Sequence, residues 1–213
     1  MKLSHKLVLK AVIFDVDGVL IDSFDANLEF FQNVFRKAGY KIPSKNEYQN
    51  IFHLTMGDVL KFFIKGIDKE EFKRILSVAQ KTSYPINKFK LPENSREIIK
   101  KLSKKYKLAL VTGRTKRGVN DYLDFSKTKN YFKVIVHFSH YKNPKPHPES
   151  LLIAVRRLKI EPSEAIYVGD ALTDMQAARA AGMKFILFSK RKLKGTDYKA
   201  DSFKKLLSLI EKL

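Results

Sequence analysis

The chain reads as an α/β protein: an open parallel β-sheet with helices on both faces, carrying a helical insertion after its first strand. Three observations predict this. Five short apolar runs rich in β-branched residues recur along the 213 residues, and most are near-continuous, as strands buried on both faces are. Helical patterns separate the later runs, and strand and helix alternation of this kind builds a parallel sheet. Between the first and second runs the alternation stops, and amphipathic helical spacing replaces it.

The elements follow in order. "LVLKAVIF", Leu7 to Phe14, is the first strand. The insertion carries three apolar stripes: Leu28, Phe31, Val34, Phe35 and Ala38; then Val59, Leu60, Phe63 and Ile64; then Phe72, Ile75, Leu76 and Ala79. Phe62 and Phe63 are expected in its core. "SYPINKFKLPENS", with Pro85 and Pro92, is the return linker. Asn94 opens an N-x-x-E helix start with Glu97, and Ile98, Ile99 and Leu102 follow at helical spacing. "KLALVT", Lys107 to Thr112, is the second strand and "KVIVHF", Lys133 to Phe138, the third. "PESLLIAVRRLKI" places Leu151, Leu152, Val155 and Leu158 on one helical face before the fourth strand, "EAIYVG", Glu164 to Gly169. "LTDMQAARAAGM" is a helix with Thr173 as N-cap, Gly182 as stop and alanines that let it lie close to a sheet. "KFILF", Lys184 to Phe188, is the fifth strand. The expected division is a core of residues 1–22 and 89–213 and an inserted unit of residues 23–88.

Composition bounds the function classes. With 44% apolar and 30% charged residues, the chain can bury a core and is too apolar for wholesale disorder. The lack of cysteine excludes a disulfide framework, a thiolate nucleophile and a Cys-ligated metal, and fits a reducing cytoplasm. Lys10 interrupts the N-terminal apolar stretch and Asp15 ends it, far short of a signal-peptide core. No window approaches the ~18 apolar residues of a membrane span, so the expectation is a cytoplasmic protein with no membrane partner. Lys and Arg number 42 against 22 Asp and Glu, a net charge of +20 that attracts anions of every kind. Lysines spaced as in "SREIIKKLSKKYK" mark a solvated helix face. No stacking aromatics or binding motif accompany them, so nucleic acid is not the expected partner despite the charge.

In an open parallel sheet, ligands bind outside the carboxyl ends of the strands. Those ends carry Asp15 and Asp17 after the first strand, Thr112, Gly113 and Arg114 after the second, and Asp170 and Asp174 after the fourth. Lys145 lies in "NPKPHPE", after the third. Magnesium takes oxygen ligands and keeps waters and substrate phosphate in its shell, so Asp15 and Asp170 suffice to hold it. A carboxylate also serves as a covalent phosphoryl acceptor, and a second acid two residues away can carry the proton. Lys145, the Thr112 hydroxyl and the amides near Gly18 and Gly113 suit a transferring phosphoryl group, whose chemistry is mostly positioning and charge neutralisation. Each residue also has a plainer reading. "DVDG" could be a turn, Thr112-Gly113 a helix cap, Asp174 a favourable charge in a first helical turn, and Lys145 an exposed loop residue. His137, His140 and His147 do not reproduce a zinc spacing.

"FDVDGVLIDS", "LVTGR", "KPHPE" and "YVGDALTD", in that order, resemble the four motifs of the haloacid dehalogenase-like hydrolase superfamily. The resemblance covers essentially the whole chain and implies a Rossmann-like core. The insertion is similar to the small α-helical cap of the phosphoglycolate phosphatase-like members, which closes over substrate. It implies Asp15 as nucleophile and Asp17 as general acid and base. Thr112 and Gly113 would bind the transferring phosphoryl group, and Lys145 would steady its charge. Magnesium would be held by Asp15, the Asp17 carbonyl and Asp170, with Asp174 in support. Asp22 and Ser23 would only lead into the cap.

Asp17 points to phosphate chemistry, because a halide leaving group needs no proton and true dehalogenases lack this acid. The expected function is a Mg-dependent phosphatase acting on a small phosphorylated metabolite. Two alternatives stay open: a β-phosphoglucomutase-like phosphomutase, although "GDALTD" lacks the adjacent acid pair typical of those enzymes, and a basic nucleic-acid-binding or scaffold protein on the same fold. A phosphonate-cleaving relative would need a cap lysine such as Lys61 or Lys65.

Overall fold

The computed structural model describes residues 8–52 and 54–213. They divide into two compact units, one of residues 8–22 with 91–213 and one within residues 23–90. Leu7, at the start of the expected first strand, lies outside the described residues.

The first unit is built on a six-stranded sheet: β1 (Ala11–Phe14), β2 (Lys107–Val111), β3 (Phe132–Val136), β4 (Ala165–Gly169), β5 (Lys184–Phe188) and β6 (Tyr198–Ala200), in the order β3-β2-β1-β4-β5-β6. Every neighbouring pair is parallel. This is a Rossmann-like α/β fold, and four of its strands are buried as the apolar runs foretold: all of β1 and β4, and every residue of β2 and β5 except the leading lysine, whereas in β3 only Phe132 and Val136 are buried. β1 is shorter than expected, because Val8, Leu9 and Lys10 precede it without strand structure. β6 was not foreseen. It has three residues, of which Ala200 alone is buried, and an edge strand of that size carries no apolar signature.

Side chains alternate across the sheet, and each face has its own helices. Ile13, Ala109, Val111, Val136, Tyr167 and Leu187 share a core with α7 (Glu149–Leu158) and α8 (Leu172–Ala180). The opposite face is covered by α5 (Ser95–Ser103) and α9 (Phe203–Ile210), which also pack on each other, and Phe188 lies against Phe203 at 5.1 Å. In α7 the buried stripe is Leu151, Ala154, Val155 and Leu158, and Leu152 is only half-buried. In α5, Ile98, Ile99 and Leu102 are buried as expected, but the Asn94 cap is not made: its backbone is left-handed and its side chain bonds Glu93 instead. Thr173 is inside α8 and not at its N-cap, which is Ala171. Gly182 does end that helix, with φ +73° and Met183 N–H returning to the Ala178 carbonyl at 2.9 Å.

The second unit contains α1 (Phe24–Ala38), α2 (Lys45–Gln49), α3 (Met56–Phe63) and α4 (Lys69–Lys81). α1 buries its expected stripe whole, α3 buries Val59 and Leu60 and α4 buries Ile75 and Ala79 in the same cluster, with Phe63, Ile64, Phe72 and Leu76 half-buried against it. Tyr48 joins from the short α2, which a Ser44–Glu47 capping box starts. Phe63 meets Phe35 edge-on at 5.5 Å, whereas Phe62, expected in the core, is 51% exposed. Phe63 follows the buried Val59 and Leu60 by four and three positions and so continues their face, whereas Phe62 is turned about 100° from Phe63, past the edge of that face. Leu60 is wholly buried in this cluster. Leu60→Ala is expected to lower stability by about 2–5 kcal/mol in urea titrations, through lost burial and a cavity that relaxes only in part.

Candidate active site

The strand order reverses direction at β1 and β4, and in such sheets the crevice at the carboxyl side of this switch is where ligands bind. β1 and β4 run in register, Phe14 opposite Val168, and the Asp15 N–H continues the ladder to the Val168 carbonyl at 2.9 Å. Asp15 therefore leaves β1 directly beside the end of β4, where Gly169 leads into Asp170. Two glycines make the approach close enough. Gly18 has φ +75°, and a Cβ there would lie 2.0 Å from Asp170 Oδ2. A Cβ on Gly169 would lie 2.5 Å from the Asp174 Cβ. Both are far inside contact distance, so the acids can converge only because these side chains are absent.

Asp15, Asp170 and Asp174 each place a carboxylate oxygen within 4.8 Å of the others. Lys145 answers this charge. Its ammonium is 3.2 Å from Asp15 Oδ1 and 2.5 Å from Asp174 Oδ1, and it donates to the Tyr167 hydroxyl at 3.0 Å. Tyr167 in turn donates to Asp174 Oδ1 at 3.0 Å. The second Asp174 oxygen accepts the N–H groups of Asp170 and Ala171, both at 3.1 Å. Asp174 thus has both oxygens engaged and acts as a brace between Lys145 and the turn that presents Asp170.

Burial and charge act against each other here. Burial pushes the Asp15 carboxyl up to about 7, against the lowering pull of Lys145. Burial, then Asp174 and Asp15, raise Asp170 well above the carboxylate range. Burial alone would lower the Lys145 ammonium, but Asp15 and Asp174 outweigh it and hold the group well above the ordinary lysine value. Three crowded acids around one ammonium resist full ionisation, and a second cation among them would favour their charged forms. All-oxygen donors in that state suit a hard divalent cation such as magnesium.

Asp17 points elsewhere. Arg114 donates to it from Nε at 2.8 Å and Nη2 at 2.7 Å, a two-pronged grip on the carboxylate. The turn that carries Asp17 is closed by N–H bonds from Leu20 and Ile21 to the Val16 carbonyl, so "DVDG" is also a turn, as its plainer reading held. Thr112 is buried just past β2, its Oγ accepting the Arg114 N–H at 3.2 Å and its carbonyl the Tyr141 hydroxyl at 3.2 Å. It caps no helix: Thr115 starts α6 (Lys116–Ser126). Gly113 is exposed, and a Cβ there would meet open space. Lys145 is not an exposed loop residue, since its side chain is 15% exposed. Asp22 is exposed, and Ser23 is buried without capping α1.

The structure thus brings Asp15, Lys145, Asp170 and Asp174 together and turns Asp17 toward Arg114. Two further residues, Tyr167 and Arg114, take part in these networks. Tyr167 lies inside the apolar run of β4, where a buried hydroxyl must find a polar partner, and that requirement was its only signal. Arg114 stands at the end of the second strand in the sequence, with no local signal for its partner 97 positions away. His137 and His140 stack at 3.7 Å beyond β3, and His147 accepts the Glu149 N–H within the Lys145 loop.

Known proteins resemble this chain over most of its length. A phosphorylated carbohydrates phosphatase of Thermotoga maritima is 29% identical over 190 residues, 84% of each chain. The pyrophosphatase PpaX of Bacillus velezensis is 27% identical over 179 residues, 82% of this chain and 80% of that one. A crystal structure of a HAD-superfamily hydrolase of subfamily IA, variant 1, from Geobacter sulfurreducens superposes with a TM-score of 0.81 at 29% identity, covering 95% of this chain and all of the other. Residues 12–188, which span every strand end described above, match the family model of the haloacid dehalogenase-like hydrolases. On that match, which takes in most of the chain, this chain is a member of the haloacid dehalogenase-like hydrolase family.

Proposed function

We propose that the protein is a magnesium-dependent phosphatase that hydrolyses a small phosphorylated metabolite through an aspartyl phosphate on Asp15. The observation that carries this reading is the Asp15 carboxylate at the β1–β4 switch, 3.2 Å from the Lys145 ammonium and within the converging acids.

In the first step an Asp15 oxygen attacks phosphorus, and the leaving oxygen takes a proton from Asp17. In the second, Asp17 accepts a proton from the water that cleaves the Asp15 adduct. Lys145, fixed by Asp174 and Tyr167, keeps a positive charge beside the nucleophile and the phosphoryl oxygens. The Thr112 hydroxyl and the amides at Gly113 and after Asp15 supply donors. Asp15, Asp170 and the Asp17 carbonyl would hold magnesium, which when bound supplies positive charge to phosphoryl oxygens.

The two relatives above are named for phosphorylated carbohydrates and for pyrophosphate, so these two substrate classes head the panel for a screen with magnesium. Asp15→Asn should abolish phosphate release while the fold, followed by circular dichroism, stays intact; full activity in that variant overturns the mechanism. Chelation should silence the wild type, and calcium, which tolerates looser and larger coordination, should not restore it. Gly18→Ala should raise the magnesium concentration needed for half-maximal activity, because its Cβ displaces the Asp170 carboxylate. Tyr167→Phe should lower stability by about 1–3 kcal/mol, since it removes two hydrogen bonds to charged partners, with a lower kcat; unchanged urea midpoint and kcat would deny the phenol its bracing role.

A further inference from the structure

Arg114 is built into the rim more firmly than a surface arginine. Its carbonyl accepts the Phe138 N–H at 2.9 Å and its own N–H is held by Thr112 Oγ at 3.2 Å, so the backbone is fixed on both sides. Its side chain is 9% exposed, and a Cβ added at Gly118 would already touch it, 3.5 Å from Nη1 and 3.7 Å from Cδ. Across from it, the Asp17 backbone is pinned by its bridge to Ile21 and by the Gly18 N–H to the Ile21 carbonyl at 2.9 Å. With both backbones fixed, the planar fork determines where the Asp17 carboxylate points.

We infer that Arg114 is a positioning residue for the second half of the reaction: it orients Asp17 as the acceptor for the proton of the attacking water. This rests on the phosphatase reading above. A carboxylate offers about four lone-pair directions, and the fork takes one on each oxygen. The fork thus sets the direction in which the Asp17 carboxylate can accept a proton. In the step concerned, the water oxygen bonds to phosphorus while one water proton passes to Asp17. The P–O bond to Asp15 breaks, its electron pair returns to the Asp15 carboxylate, and inorganic phosphate leaves. Loss of the fork lets the Asp17 side chain rotate, and misplacement of an acceptor by about 1 Å slows a step by up to ~100-fold.

Rapid-quench kinetics with p-nitrophenyl phosphate and magnesium separate the two halves, because p-nitrophenolate departs without a proton. The wild type, R114A, R114Q, R114K and D17N are compared with R114A/D17N, each checked by thermal unfolding, with R114Q carrying the test if R114A does not fold. In R114A the first-turnover burst of p-nitrophenol should stay near the wild-type rate. Decay of the hydroxylamine-sensitive phosphoenzyme should slow about 10- to 100-fold, R114K should recover part of it, and the double variant should be no slower than D17N. Phosphoenzyme decay at the wild-type rate in folded Arg114 variants, or burst and decay falling in the same proportion, overturns the inference alone. A wild type without phosphoenzyme, together with an active D15N, overturns the phosphatase reading and the inference with it.

Discussion

The buried ammonium of Lys145 is the group on which the rest of the rim depends. It joins Asp15 from the end of β1 to Asp174 in the first turn of α8, with the Tyr167 hydroxyl of β4 closing the network. Without a cation there, the carboxylates that converge within 4.8 Å would repel one another in a site that water solvates poorly. Sheet order explains how the lysine gets there. β3 lies at one edge and β4 beyond β1, so the connection between them has to cross the ends of β2 and β1. Lys145 sits on that crossing, in the loop before α7.

A second constraint is space. Strands at the switch stand side by side, and the acids that follow them meet only if the backbone between them is bare. Gly18 and Gly169 provide this, each at a point where a methyl group would fall inside Asp170 or Asp174. The same economy appears in α8, where Ala177 and Ala178 are buried against the sheet and bring the helix close enough for Asp174 to bond the turn at Asp170. Packing and electrostatics thus come from one set of small residues.

Much of this was legible in the residues. Strands buried on both faces write apolar runs, and helical stripes such as Leu28, Phe31, Val34 and Phe35 write a 3.6-residue period. The departures come where a local signal had competitors. Thr173 is a good N-cap type, but the Asp174 carboxylate bonds the N–H groups of Asp170 and Ala171 and starts the helix two residues earlier. Asn94 and Glu97 match a cap pattern, but Asn94 adopts a left-handed backbone that directs its side chain away. β6 pairs as a strand because β5 offers it an edge, not because "YKA" favours one.

The sequence by itself determined the parallel α/β class, the inserted helical unit, and the order of acids, hydroxyl and lysine along the chain, because these depend on residue type and short-range period. Only the tertiary structure decided which of those groups touch. That Lys145 bonds Asp174 from 29 positions away, and that Arg114 grips Asp17 from 97, follows from strand order and loop crossing. Periodicity carries no information about contacts at such separations. They are selected by the sheet, whose ends bring distant residues within hydrogen-bond reach.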